Sequence, residues 1–455
     1  MTNLYPLLFE NNLHTIVWGG TQLESWKGLP SSGQPIGESW EVSAAASSPS
    51  VIANGAFAGR SLPEVISEHA VEILGKAVAE KYDGKLPLLA KFIDADRDLS
   101  IQVHPDDELA LKRHNCKGKT EMWYIISAGE GAHLLSGLKE QIDADRYVDL
   151  VEKGEIVSVL ADYKVSPGDV FFLPAGRIHA IGGGCYLAEI QQTSDITYRI
   201  YDYGRMGLDG KPRQLHTQEA KDAIDYRVYP DYRTHYVAAP DTSVSLVSCP
   251  YFKTELLELT GPFARDLTDC GDFLIAIALE GETRLVRRSS CPACADEVLT
   301  LHPGECALIP GPAFGHSRSG NSADAPSSLS VRPGLSADAP LSLSARSGVS
   351  ADDPLPFTAH PGVSADDPLP LSARSGVSAD DPLSLSARPG VSADDPLSLS
   401  ARPGVSADDP LSLSARPGVS ADDLRGVCFE PVGSGSKLLT TFVPSTAVCG
   451  GSAPE

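Results

Sequence analysis

The chain has 455 residues, enough for two or three domains, and needs no disulfide or metal merely to hold a core together. Its 60 acidic against 37 basic side chains give a formal charge of -23, which argues against a nucleic-acid or anionic-membrane partner, since both reward a basic face. Anionic small molecules stay open, because they need only a few local cations.

No stretch approaches the roughly 18 apolar residues of a membrane span. The opening MTNLYPLLFENNLHTIVW lacks the basic segment and continuous apolar core of a signal peptide, so a cytoplasmic protein is expected. Helical patterns follow at LPEVISEHAVEILG and, behind an Asp cap, at DADRYVDLVEKG. Around them short β-like runs dominate: LPLLAKFIDA, LSIQVHP, EMWYIISA, VFFLPAG, CYLAEIQQ and ITYRIYDY. Many short strands punctuated by turn residues imply a sandwich or barrel, with residues 1–235 as the domain that carries the chemistry. Gly182, Gly183 and Gly184 lack the helix and lysine of a phosphate loop and read as a turn between strands.

From residue 236 to 321, GDFLIAIALEGETRLV and VLTLHPGECALIPGPAFGH read as strands of a second, smaller β domain. Nine scattered cysteines fit reduced thiols, and Cys291-x-x-Cys294 has no second pair at zinc-ribbon spacing. Residues 322–425 are a tandem array of a 14-residue unit, SADDPLSLSARPGV in its cleanest form. Two or three apolar side chains per unit cannot offset an ordering cost of about 1–2 kcal/mol per residue, so a disordered tether is expected. Residues 426–455, with GSGSKLLTTFVPS, supply the closing strand of the interrupted second domain and a tail.

Three segments bring metal-binding side chains into the first barrel. Gln102 and His104 are two apart in LSIQVHP and share one face of a strand. Glu121 opens the next strand, and His179 follows a Pro174-x-Gly176 turn that starts six residues after Gly168. Two imidazoles, a carboxylate and an amide oxygen or water suit zinc with a position left open for substrate. Each is weak alone, since a single strand histidine is usually a hydrogen-bonded core or surface residue.

The run from Gly168 to His179 resembles the second cupin motif, and Gln102, His104 and Glu121 resemble a variant of the first. Together with WGG, GESWEVS, KTEMWY, PAGRIHAIG and SDITYRIYDYGR, the sequence resembles the type I phosphomannose isomerases in their shorter bacterial form, densely from Leu4 to Tyr226. The resemblance implies a mainly β, double cupin (jelly-roll) architecture with a few helices, whose second, metal-free jelly roll is interrupted by the array. It also implies one Zn2+ per chain on Gln102, His104, Glu121 and His179, and a small-molecule sugar phosphate as partner. The substrate and catalytic residues it implies are Ser100, Lys91, Lys119, Glu189 and Arg199.

The reaction so implied is aldose–ketose isomerisation between mannose 6-phosphate and fructose 6-phosphate through an enediolate. Its difficulty is negative charge growing on oxygen, which a Lewis acid, a lysine ammonium or Arg199 can offset. The base is left open between Glu189 and a lysine of lowered pKa. Arg199 offers planar donors suited to phosphate or enediolate oxygens, against the plainer reading of a stacked side chain paired to Asp202. Two rivals stay open: a sugar-phosphate-binding cupin without turnover, and an Fe(II) oxygenase of the same fold.

Overall fold

The runs of β-branched and aromatic residues sort into layers according to which faces they can bury. The computed structural model describes residues 4–267, 273–287, 297–311 and 426–444, with six short stretches between 329 and 415. Cys291 and Cys294 lie outside the described residues. Cys116, Cys185, Cys249 and Cys306 carry free thiols, in line with a reduced set.

One antiparallel sheet has the order Arg233–Thr234, Val170–Leu173, Glu121–Ala128, Cys185–Gln192, Leu88–Ala95, Leu13–Gly20, Ile36–Val42. A second has the order Tyr198–Tyr201, Ile101–Val103, His179–Ile181, His133–Leu138, Leu160–Lys164. Trp18, Ile93, Trp123, Ile125, Leu134, Phe171 and Leu187 pack together between these sheets as the core of the first jelly roll. Gly182–Gly184 is a turn between strands, as expected.

Leu88–Ala95 and Cys185–Gln192 are buried at all eight positions rather than at alternate ones. The outer face of their sheet is covered too. Ala90, Phe92, Tyr124, Ala188 and Ile190 join one cluster with Leu256, Ile275, Leu308 and Leu439 of a third sheet and with Val65, Ile66 and Ile73 of helix Leu62–Leu74. Burying each such large side chain contributes roughly 1.5–3 kcal/mol. The helix opens on a reciprocal Ser61–Glu64 capping box with proline in its first turn. Asp143 caps helix Ala144–Glu152 by accepting from the Arg146 N–H at 2.7 Å.

The third sheet has the order Leu7–Leu8, Cys306–Pro310, Phe273–Arg287, Gly426–Phe442, Lys253–Leu259, Ser243–Ser248, and Phe263–Asp266 and Glu297–Leu301 pair beside that path. Its second face has its own core of Leu257, Leu274, Leu285, Ile309, Phe429 and Leu438. Leu7 and Leu8 pair with Leu308 and Ala307, so the first strand of the chain lies in a sheet whose other strands all come from Ser243 onward. The strand after the array runs through the middle of that sheet, pairing along one edge with Lys253–Leu259 and along the other with Phe273–Arg287.

Both sides of the interruption meet at one point. Arg287 donates to the Gly311 carbonyl at 3.3 Å, and its neighbour Val286 pairs with Cys428. Within residues 315–423 the described stretches are six strands of two to five residues. They pair in parallel two repeat units apart, as Leu355 with Leu383 and Leu343 with Leu371. The expected disorder of the array falls otherwise on residues outside the described set. No described helix is long and apolar enough to cross a membrane.

Candidate metal centre and substrate cleft

The three metal-binding segments come from facing sheets. Ile101–Val103 lies between the strands His179–Ile181 and Tyr198–Tyr201, so Gln102 stands opposite both His179 and Arg199 in register. Glu121 opens its strand in the other sheet, opposite Leu173 and Gln191. The turn before His179 is fixed to the first segment, because the Gly176 N–H donates to the His104 carbonyl at 2.9 Å. Gly176 has φ +88°, and a Cβ there would sit 3.0 Å from the Ala223 carbonyl oxygen, so glycine is required on both counts.

His104, Glu121 and His179 offer ligand atoms that all lie within 4.8 Å of one another, the one such group among the described residues. His179 Nε2 is 3.1 Å from Glu121 Oε1, and His104 Nε2 is 3.5 Å from Glu121 Oε2. The Gln102 amide nitrogen is 3.3 Å from His179 Nε2. Each imidazole holds its other nitrogen against a backbone carbonyl: His104 Nδ1 to Ile196 at 2.9 Å and His179 Nδ1 to Arg177 at 2.8 Å. These bonds fix the tautomer and leave both Nε2 lone pairs aimed at the carboxylate, as metal-ligating histidines require.

The donor set fits a borderline divalent ion. Both Glu121 oxygens are buried and neither meets full hydrogen-bond geometry among the described residues, so the carboxylate depends on the charges around it. Lys119 Nζ supplies part of that charge at 2.9 Å from Glu121 Oε2, and lies 3.3 Å from His104 Nε2. Burial and then Lys119 push the His104 imidazole down to about 3, which keeps it neutral and able to ligate. Burial alone would raise the Glu121 carboxyl, but Lys119 and the two imidazoles outweigh it and hold the group well below the usual carboxylate range.

Beside the metal group, four neighbouring strands present a row of side chains to the cleft. Register places Trp123 opposite Glu189, Glu189 opposite Lys91, and Lys91 opposite Trp40. Trp123 Nε1 donates to Glu189 Oε2 at 2.9 Å, and Lys91 Nζ is 3.5 Å from Glu189 Oε1. Lys91 also stands 3.5 Å from Glu38 Oε2 and 4.6 Å from the centre of the Trp40 ring. Burial, then the negative charge of Glu121, raises the Glu189 carboxyl. Burial alone would lower Lys91, but Glu38, Glu189 and Glu121 together raise it, so Lys91 is a fixed cation in this arrangement.

The cleft has a volume of about 610 Å³, and Lys91, Ser100, Gln102, Lys119, Glu189 and Arg199 all line it. Arg199 Nε donates to Ser100 Oγ at 3.3 Å and Nη1 to the Gln214 carbonyl at 3.1 Å. The plainer reading, Arg199 paired to Asp202, is not what forms: Asp202 takes Arg205 and Arg213 instead. Sequence reasoning assigned no role to Glu38, Trp40 or Arg213, which also line the cleft. Glu38 and Trp40 had a signal, two residues apart on one strand in GESWEVS; Arg213, in a loop, had none.

The family model for the catalytic domain of type I phosphomannose isomerase matches residues 7–168. The mannose-6-phosphate isomerase ManA of Bacillus subtilis is 37% identical over 284 residues, covering 62% of this chain and 87% of that protein. The mannose-6-phosphate isomerase of Streptococcus mutans is 34% identical over 282 residues, covering 62% and 86%. A crystal structure of a Bacillus subtilis mannose 6-phosphate isomerase superposes with a TM-score of 0.61 at 31% identity, over 68% of this chain and 94% of that one. With the double jelly-roll fold and the His104–Glu121–His179 group already in place, these likenesses settle that the chain belongs to the type I phosphomannose isomerase family.

Proposed function

We propose that this chain is a zinc-dependent aldose–ketose isomerase interconverting D-mannose 6-phosphate and D-fructose 6-phosphate through an enediolate. The observation that carries the reading is the convergence of two tautomer-fixed imidazoles on one fully buried carboxylate, with ligand atoms all within 4.8 Å of one another. His104, Glu121 and His179 would hold the zinc, with Gln102 beside His179 as the fourth protein donor or the holder of a water. When bound, the ion acts as a Lewis acid toward the O1 and O2 oxygens of the open sugar.

The chain's own residues do the rest. Glu189 Oε2 is engaged by Trp123, which leaves Oε1 to take the proton from C2 of the aldose and return it to C1. A buried carboxyl raised by its surroundings is a better base near neutral pH than a solvated one. Lys91 holds Glu189 Oε1 in place, and the Lys119 ammonium stands where charge on the sugar oxygens needs offsetting. Arg199, steadied by Ser100, is a planar donor for the phosphate. In this reading residues 1–235 are the catalytic domain, and residues 236–321 with 426–455 a metal-free supporting jelly roll.

A coupled assay for fructose 6-phosphate on protein purified without added metal, with metal analysis of the same sample, tests the proposal. Zinc and turnover are expected together. Binding of mannose 6-phosphate by zinc-loaded protein without turnover would make it a binding protein, and iron with oxygen consumption would make it an oxygenase.

A further inference from the structure

We propose that Arg213 is the second arginine of the phosphate subsite, closing with Arg199 and Ser100 one anion-binding end of the cleft and held there by Asp202. The inference rests on the reading above that the substrate is a sugar phosphate. Both arginines line the cleft, and each guanidinium group keeps a nitrogen without a hydrogen-bond partner among the described residues. Arg199 uses Nε on Ser100 and Nη1 on Gln214, which leaves Nη2. Arg213 uses Nε and Nη2 on the two oxygens of Asp202, at 2.7 and 2.5 Å, which leaves Nη1.

Charge is unbalanced here in a way that favours an anion. Asp202 is 5% exposed and also accepts from Arg205 Nη2 at 2.8 Å. Arg205 is anchored further by the Asp98 carbonyl. One carboxylate therefore serves two guanidinium groups, and no carboxylate among the described residues lies within ion-pair distance of Arg199. Burial, then the nearby charge of Arg213, pulls Arg199 below its usual range. A phosphate dianion between the two would replace that repulsion with charge-assisted hydrogen bonds from planar donors. Tyr203 at φ +53° and Gly204 at φ +67° turn the chain so that Arg213 returns to the aspartate that follows the Arg199 strand, and this strand's register with Gln102 places the subsite beside the metal group.

The test compares Arg213→Gln and Arg213→Lys with the parent in the full chain. The quantities read are kcat/KM for mannose 6-phosphate relative to that for unphosphorylated mannose, and the inhibition constant of inorganic phosphate. Loss of a charge-assisted contact predicts that the glutamine variant lowers the ratio about 10- to 100-fold and weakens phosphate inhibition by a similar factor. The lysine variant, a point charge without the fork, should recover part of both. A glutamine variant within twofold of the parent on both measures overturns the proposal, as does an equal fall on the two sugars with phosphate inhibition unchanged, which marks a merely structural role. Should the parent turn over neither sugar, the substrate reading fails, and calorimetry with inorganic phosphate still decides the subsite: equal affinity in parent and variant overturns it.

Discussion

Replacing Lys91 by methionine removes the ammonium that stands between Glu38 and Glu189 while keeping most of the side chain's volume. Lys91 Nζ lies 3.5 Å from each carboxylate, and the lysine and Glu189 are both nearly inaccessible to solvent. At an effective dielectric of about 20, a pair at that distance attracts by about 5 kcal/mol, and desolvation of the ammonium cancels much of the sum of two. Removing one partner of such a buried group costs about 3–5 kcal/mol, because charges are left without compensation. Urea unfolding at equal zinc should show that loss, and a Glu38→Gln, Lys91→Met double variant should regain a large part of it, since one stranded charge is gone. Glu189 would then face Glu121 with Lys119 as its remaining counter-charge and hold its proton to higher pH, so the acid limb of the kcat/KM profile should move upward. An unfolding free energy within about 1 kcal/mol of the parent, together with an unshifted profile, would refute the reasoning.

His104→Ala should lose zinc and isomerase activity together while the far-UV circular dichroism persists, and turnover at the parent rate would remove His104 from the mechanism. Chelation of the parent should abolish turnover, and added zinc should restore it. The Glu189 carboxyl is raised on folding, so between its ordinary and its raised value the folded chain binds more protons than the unfolded one. Stability from this group is therefore full at low pH and falls as pH rises through that window. The difference in Tm between the parent and Glu189→Gln should accordingly change across that window, and a constant difference would contradict the assignment. Exchange of residues 315–423 for a short Gly-Ser linker should leave isomerase activity within about twofold, because Gly311 and Cys428 both stand beside the Val286–Arg287 pair and loop closure adds little. Truncation before Gly426 should instead leave insoluble protein, since the strand Gly426–Phe442 is paired along both edges.

The candidate metal-binding residues were legible because they rest on short-range rules. A period of two puts Gln102 and His104 on one face, and a Pro174-x-Gly176 turn needs the positive φ that Gly176 adopts before His179. Helix caps at Ser61 and Asp143 follow local hydrogen bonding in the same way. The 14-residue array was visible as self-similarity alone. The row Trp123, Glu189, Lys91, Trp40 was not, because its neighbours come from four strands up to about 150 residues apart, and register between such strands is decided by which apolar faces pack, not by any local pattern. The placement of Lys91 between Glu38 and Glu189 follows from that register. Folding likewise gave Asp202 to Arg213 rather than to Arg199, its nearer neighbour in sequence, and placed Leu7–Leu8 in the sheet that otherwise begins at Ser243. The sequence by itself determined which side chains can bind a metal and where turns aim them. Tertiary structure alone decided which charges share a cleft, because a buried charge takes its pKa and its partner from whatever the packed strands bring within a few ångströms.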